Sequence, residues 1–420
     1  MTNNQFMAGM GKCEIKIPLA YLAAENFSSV HDCLYARAMI LKQEQLWVLV
    51  SLDVTSLPAQ EIEMIRQQTA AFLGIDAAAV WVCVVHTFSV PHVLPETAFD
   101  DAVLLGARNA YSAALIDAGL QAVKEAYDHM AKAVLGFSTG ACDVNINRDV
   151  EIEEGWWLGA NPERPSDKTV SVIRLNREDG TLLGVLYHYA CQSSVLDQSQ
   201  LTNGGKAVCS DLVGQASLYV EKTLNTTVLF LLGAAGDQAP CQKAVYETFR
   251  HGQRISTDLH EAGFTICEKL GRQLGQKVCE IADSIQNNEE ISAIQMDKMQ
   301  VMVPGKEMNR NLRELHPTRS GTYTPCEDKI TEIEAVSIGE IAFLGVKPEL
   351  NCITALNLVH RAPFKHTLIA TMVNGGAKYM ADEASYDLLT YEAMNSPFGK
   401  GAAEILTDKA VELLERMKEL

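Results

Sequence analysis

The chain has 420 residues, 47% of them hydrophobic and 21% charged, with a formal net charge of −18. That is globular composition with ample material for a core, and so acidic a balance argues against nucleic acid and anionic lipid, both of which call for basic patches. No apolar run nears the ~20 residues that span a bilayer, no signal-peptide pattern opens the chain, and eleven scattered cysteines without a CxxC pair read as reduced thiols in a cytoplasmic protein.

The elements follow in order. "LWVLVSLD" (46–53) and "AVWVCVV" (79–85) are continuous apolar runs of strand length, which suit a sheet buried on both faces. Between them Ile62, Ile65, Phe72 and Leu73 fall at helical spacing, with Thr69 the polar member of the stripe. A long helix follows, its stripe made of Ile116, Leu120, Val123, Tyr127 and Met130. Residues 134–168, rich in Gly, Asn, Pro and charge, read as a short strand and then a long excursion of the kind that carries function. "VSVIRL" (170–175) and "LGVLYHYA" (183–190) form a hairpin across "NREDG". A helix near 211–223 leads into the buried strand "VLFLLGAAGD" (228–237). Leu270, Leu274, Val278, Ile281 and Ile285 mark another amphipathic helix, "IEAVSIGEIAFLGV" (333–346) a hairpin turning at Ile338-Gly339, and "GAAEILTDKAVELLERMKEL" a closing helix. The pattern predicts one α/β domain over 1–420, a mixed and mostly buried β-sheet core flanked by helices.

Several motif matches carry no chemistry. "GFSTG" (136–140) has the G-x-S-x-G form of serine hydrolases, but that motif needs a strand before the serine and a helix after it. Here a helix precedes and a poor helix former follows. "GMG" (9–11) lacks the third glycine of a dinucleotide fingerprint, and "GGKA" (204–207) lacks the spacing of a phosphate loop. "VVHTFSVPH" (84–92) is more informative, because His86 directly follows a buried strand and ligands gather at strand carboxyl ends in open α/β sheets. "YHYACQSS" (187–194), "LLGAAGDQAP" (231–240) and "FLGVKPELN" (343–351) end apolar runs in the same way, which points to a shared cleft.

In this order the segments resemble the neutral ceramidases, zinc amidases that cut N-acylated sphingoid bases. "AGMGKCEIKIP" (8–18) is similar to the family opening, and "VHDCLYARAMIL" (30–41) and "VLVSLDV" (48–54) to its first strands. "HTFSVPH" stands where the family has His-Thr-His-Ser-Gly-Pro-Gly, and "NINR" (145–148) matches Asn-x-Asn-Arg. "YACQSS" with "CSDLVGQ", then "FLLGAAGDQAP", "LGVKPEL" and "VNGGAKYMADEASYDLLTYE" complete the series. The resemblance implies the ceramidase catalytic-domain fold, without the family's C-terminal immunoglobulin-like domain.

It also implies a zinc site whose ligands fall on His86, Glu349, Tyr379 and position 192, where Gln192 replaces the family histidine. A neutral amide is a weak zinc ligand. His188, four residues back along a strand and so ~13 Å away, is no direct substitute. Phe88 replaces the substrate-facing histidine, Val90 a glycine, and Ala239 the serine of the Gly-Asp block. His86, Arg148, Asp237 and Tyr391 are the candidate catalytic residues; Phe88, Arg148, Tyr391 and Ala239 are the candidate substrate contacts. The implied activity is hydrolysis of an amide bond in a small soluble N-acyl compound rather than ceramide. The alternative is a metal-free, inactive or binding-only member.

Overall fold

The computed structural model describes residues 5–250, 253–286, 289, 291, 293–307 and 315–419. Eight strands form a central mixed sheet in the spatial order Thr227–Leu232, Leu182–Tyr189, Thr169–Arg177, Ala131–Ala141, Met7–Ile15, Leu34–Lys42, Leu46–Leu52 and Val80–Val84. Its two edge pairs are parallel and the rest antiparallel. The sheet curls enough for Ser51 Oγ to donate to the Phe230 carbonyl at 3.0 Å.

Alternate residues of these strands feed two cores, as a period of two requires. Val48, Val50, Val82, Val172 and Val228 point toward helices Ala59–Leu73, Ala102–Asp128, Asp211–Leu224 and Ala262–Ser284. Trp47, Leu49, Trp81, Ile173 and Leu229 point the other way, onto Val336, Phe343 and Leu368 of a second sheet. That sheet pairs Ile294–Lys306, Pro325–Ile338, Ile341–Val346 and His366–Ala370. Its outer face packs on helices Cys352–Arg361 and Ala402–Lys418. The layers run helix, sheet, sheet, helix, and most of each sheet is covered on both faces, although Met302 and Ile330 of the second sheet are exposed. This is the mixed α/β architecture that the patterning predicts.

Two expectations need correction. Residues 134–168 are not an excursion. They hold the rest of strand Ala131–Ala141 and a hairpin of Asn145–Ile152 with Gly155–Asn161. The hairpin needs few apolar residues because it lies outside the main sheet, so its sequence is polar without being a loop. The long helix starts earlier than its stripe and buries Tyr111, Leu115, Ala118, Gly119, Ala122 and Ala126, while Tyr127 is exposed. Small residues form this face because strand Met7–Ile15 presses on it. A Cβ at Gly9 would stand 2.0 Å from the Ala126 carbonyl oxygen, and one at Gly11 2.1 Å from that of Ala122. The "GMG" glycines therefore serve helix–sheet packing. "GFSTG" lies within a strand, with Ser138 paired to Val172, and forms no nucleophile turn.

Candidate functional site

Four strand ends converge. His86 follows Val80–Val84, Gln192 follows Leu182–Tyr189, Asp237 follows Thr227–Leu232, and Glu349 follows Ile341–Val346. Backbone bonds tie these ends to one another. Phe88 N donates to Ser193 O at 3.0 Å, Gln192 N to Gln238 O at 3.2 Å, Gly236 N to Leu350 O at 2.9 Å, and Arg148 N to Asp237 O at 2.9 Å. The Glu349–Leu350 segment pairs in parallel with Tyr379–Met380, which sets Glu349 beside Tyr379.

His86 leaves its strand in the left-handed region, φ 57°. A β-carbon there costs of order 1–3 kcal/mol, a strain that the surroundings must hold in place. Its Nδ1 lies 2.6 Å from the Thr55 carbonyl oxygen. A carbonyl can only accept, so Nδ1 carries the proton. Nε2 lies 3.1 Å from Glu349 Oε2, an ion pair when the imidazole is protonated. Burial alone would lower the His86 pKa, but the Glu349 charge outweighs it and the net shift is upward. Burial would raise Glu349, yet the charges of His86 and Arg148 and the amide of Gln192 bring it below the usual carboxylate range.

Gln192 joins this pair to Arg148. Its Nε2 donates to Glu349 Oε2 at 2.9 Å and its Oε1 accepts from Arg148 Nη1 at 2.8 Å. A guanidinium only donates and a carboxylate only accepts, so the amide has one possible orientation. Arg148 also donates Nε to Glu392 Oε1 at 2.8 Å, with Nη2 2.6 Å from the same oxygen. Its guanidinium lies over the rings of Tyr379 and Tyr391, 5.3 and 5.5 Å from their centroids. Burial raises the pKa of both phenols, so they remain protonated donors at neutral pH.

A cleft of about 950 Å³ opens over this group. Arg148, Gln192, Tyr379 and Tyr391 form its floor, and Phe88, Leu158 and Ala239 are among its apolar walls. The hairpin of Val245–Arg250 and Gln253–Asp258 supplies Tyr246, Glu247 and Asp258 to the rim. His86 and Glu349 do not line it. Phe88 packs T-shaped on the His86 ring at a centroid distance of 4.7 Å and Gln192 bonds Glu349, so the pair touches two residues that line the cleft.

Of the residues singled out from the sequence, His86, Arg148, Gln192, Glu349, Tyr379 and Tyr391 are brought together, and Phe88 and Ala239 line the same cleft. Asp237 is the exception. It does not line the cleft, and its carboxylate accepts from Cys352 N, Asn147 Nδ2 and Gln238 Nε2 at 2.8, 2.8 and 3.1 Å. It ties three segments together and has no reach to a ligand. His188 turns away to the Ile369 carbonyl, and His92 pairs with Glu25. Sequence reasoning missed Glu392, the counter-ion of Arg148, and Asp149, buried beside it. The only signal for either was adjacency to Tyr391 and Arg148.

The sequence profile of "Neutral/alkaline non-lysosomal ceramidase, N-terminal" matches residues 22–316. The chain belongs to this family. Neutral ceramidase from Pseudomonas aeruginosa has a similar fold at 17% identity, with a TM-score of 0.76 over 99% of this chain and 75% of that one. A structure described as ceramidase complexed with C2 aligns at 16% identity and a TM-score of 0.74, over 99% of this chain and 76% of that one. No curated protein matches the chain in sequence. At such identity the likeness establishes the fold, and the chemistry of this ceramidase-family member must be read from its own side chains.

Those side chains do not fit a resident zinc ion. Catalytic zinc takes three protein donors drawn from His, Cys and carboxylate. Here His86 and Glu349 are the two strong donors, and among the described residues no three His, Cys, Asp or Glu side chains converge on one point. Gln192 Oε1, the atom that could turn to a metal, is held by Arg148 Nη1. Tyr379 is a protonated phenol.

Proposed function

We propose that this ceramidase-family chain binds a small, soluble acyl amide in the cleft over Arg148, and does so without a resident zinc ion. The observation that carries this reading is the seat of Gln192, both ends of whose amide are committed, one to Arg148 and one to Glu349. Replacing a metal-ligating imidazole by that bridge turns a cation site into a hydrogen-bonded floor. A ligand entering the cleft meets donors. The Arg148 guanidinium and the Tyr379 and Tyr391 hydroxyls suit a carbonyl oxygen, and Phe88 and Leu158 suit a short acyl chain. The rim carries Asp197, Glu247 and Asp258 with Lys243, which disfavours an anionic head group. A chain of charge −18 is a poor partner for nucleic acid or anionic membrane, and seven buried thiols among eleven support a reducing, cytoplasmic setting.

A second reading is amide hydrolysis, the activity of this amidase-type family. It is favoured by His86, whose Nδ1–H is fixed by a backbone carbonyl, as in metal-ligating histidines, and whose Nε2 has no aligned partner. One experiment separates the two. The purified chain is analysed for bound zinc, titrated calorimetrically with N-butyrylethanolamine, and assayed for release of ethanolamine with and without a chelator. Saturable binding without stoichiometric zinc and without turnover is the expected result. Chelator-sensitive hydrolysis would overturn it in favour of the second reading.

A further inference from the structure

Beneath the cleft floor, Asp149 and Glu392 lie side by side, each with no solvent exposure. Glu392 Oε1 receives Arg148, but among the described residues Glu392 Oε2 and both oxygens of Asp149 have no N–H or O–H donor. Arg164 Nη2 is 3.7 Å from Asp149 Oδ2, too far for a hydrogen bond. Asp237 adds another acidic group nearby. Three bare carboxylate oxygens at one buried point would leave two negative charges opposed in a medium that screens them weakly. A single proton removes both problems, since it supplies the missing donor and cancels one charge. Adjacent carboxyl groups elsewhere resolve the same conflict in this way.

We propose that Asp149 and Glu392 share one proton, with Asp149 a neutral carboxylic acid that donates to Glu392, so that Glu392 keeps its charge for Arg148 and Asp149 is a positioning residue for the guanidinium at the cleft floor. The groups that face Asp149 bear this out in sign. Glu392 and Asp237 oppose its ionisation, and Arg164 favours it from a side chain that is 19% exposed. Burial, the largest cause, and the Glu392 charge push the Asp149 pKa well up. Glu392 therefore meets Arg148 as a single carboxylate whose other oxygen is occupied, which fixes its rotation. The guanidinium is then held by Glu392 on one side and Gln192 on the other, with its plane over both tyrosine rings.

The assignment of the proton stands apart from the proposed ligand, although the role given to Arg148 rests on that reading. Infrared spectra of the full chain at neutral pH, with and without ¹³C-labelled aspartate, are expected to show a protonated-carboxyl band that shifts with the label and is lost in Asp149→Asn. A labelled band unchanged in Asp149→Asn, or none at all, would mean that Asp149 is ionised against Arg164 and would overturn the proposal. Affinity for N-butyrylethanolamine then tests the positioning role. Asp149→Asn, which keeps a neutral donor, should stay within about twofold of wild type, while Asp149→Val should lose about tenfold or more. Equal behaviour of the two variants would overturn the positioning role. If wild type binds no acyl amide, the function proposed above fails while the infrared result still reads the proton.

Discussion

Gln192 donates its side-chain amide to Glu349 Oε2 at 2.9 Å. At this position a histidine would present a ring nitrogen to the same carboxylate and to His86. The prediction is that Gln192→His creates a third strong donor and, with it, a zinc site. Zinc affinity measured by calorimetry should rise at least ~100-fold over wild type, because a third imidazole or carboxylate donor is what catalytic zinc sites require. Wild-type and variant affinities within a factor of three would show that Gln192 is not what keeps zinc out.

Removing the bridge without replacing it is predicted to be costly. Gln192→Leu leaves Arg148 Nη1 without its acceptor and Glu349 without a donor, in a site that water does not reach freely. Each such loss at a charged group costs about 1.5–3 kcal/mol, so the variant should be destabilised by about 3–6 kcal/mol in urea unfolding. A loss under about 1 kcal/mol would mean that the bridge is not made in solution.

Phe88 packs T-shaped against the His86 ring. Phe88→Ala should open the ion pair to water. It removes a half-buried ring, at about 2–3 kcal/mol of stability, and lets solvent screen the Glu349 charge that raises the His86 pKa. The His86 titration, followed by its ring proton shifts in NMR, should move down toward the ordinary imidazole range. An unmoved or higher His86 pKa would mean that Phe88 does not shield the pair.

The sequence made the layers legible wherever a strand was apolar throughout or a helix had a regular stripe. It failed where packing overruled pattern. The hairpin 145–161 is polar because it borders a cleft, and helix Ala102–Asp128 turns a face of alanines inward because two glycines opposite let the backbones close up. For the candidate site, family resemblance singled out His86, Arg148, Gln192, Glu349, Tyr379 and Tyr391, which the fold brings together. It could not tell that Gln192 faces Arg148 as well as Glu349, since hydrogen-bond direction depends on partners distant in the chain. Asp237 misled for a related reason. An acid at a strand end can serve a ligand or tie loops together, and only its three backbone and side-chain donors decide between them.

The two glycines give a prediction independent of the site. Gly9→Ala and Gly11→Ala each place a methyl carbon about 2 Å from a helix carbonyl oxygen, an overlap that only movement of the helix relieves. Overpacking of this kind costs about 1–3 kcal/mol or more, so each variant should lower the thermal midpoint and the double variant should fail to fold cooperatively. A Gly74→Ala control meets no atom within 4 Å and carries only the cost of its φ of +68°. If it destabilises as much as Gly11→Ala, the close helix–sheet approach is not what selects glycine here.

Asp237 supplies the pH dependence. Burial raises its pKa to about 6, against the opposing effect of its donors. The folded state thus holds a proton that the unfolded chain, with an ordinary Asp near 3.9, has already released. In the window between these values the folded Asp237 binds more proton than the unfolded one, so the contribution of Asp237 to stability falls as pH rises from about 4 to about 6 and is level above that. The full difference corresponds to a loss of order 2–3 kcal/mol. Asp237→Asn removes the titration but also one acceptor, so it should be less stable at pH 4 and show a flatter slope between pH 4 and 6 in urea unfolding. A slope unchanged in Asp237→Asn would mean that Asp237 is ionised in the fold and that its three donors outweigh its burial.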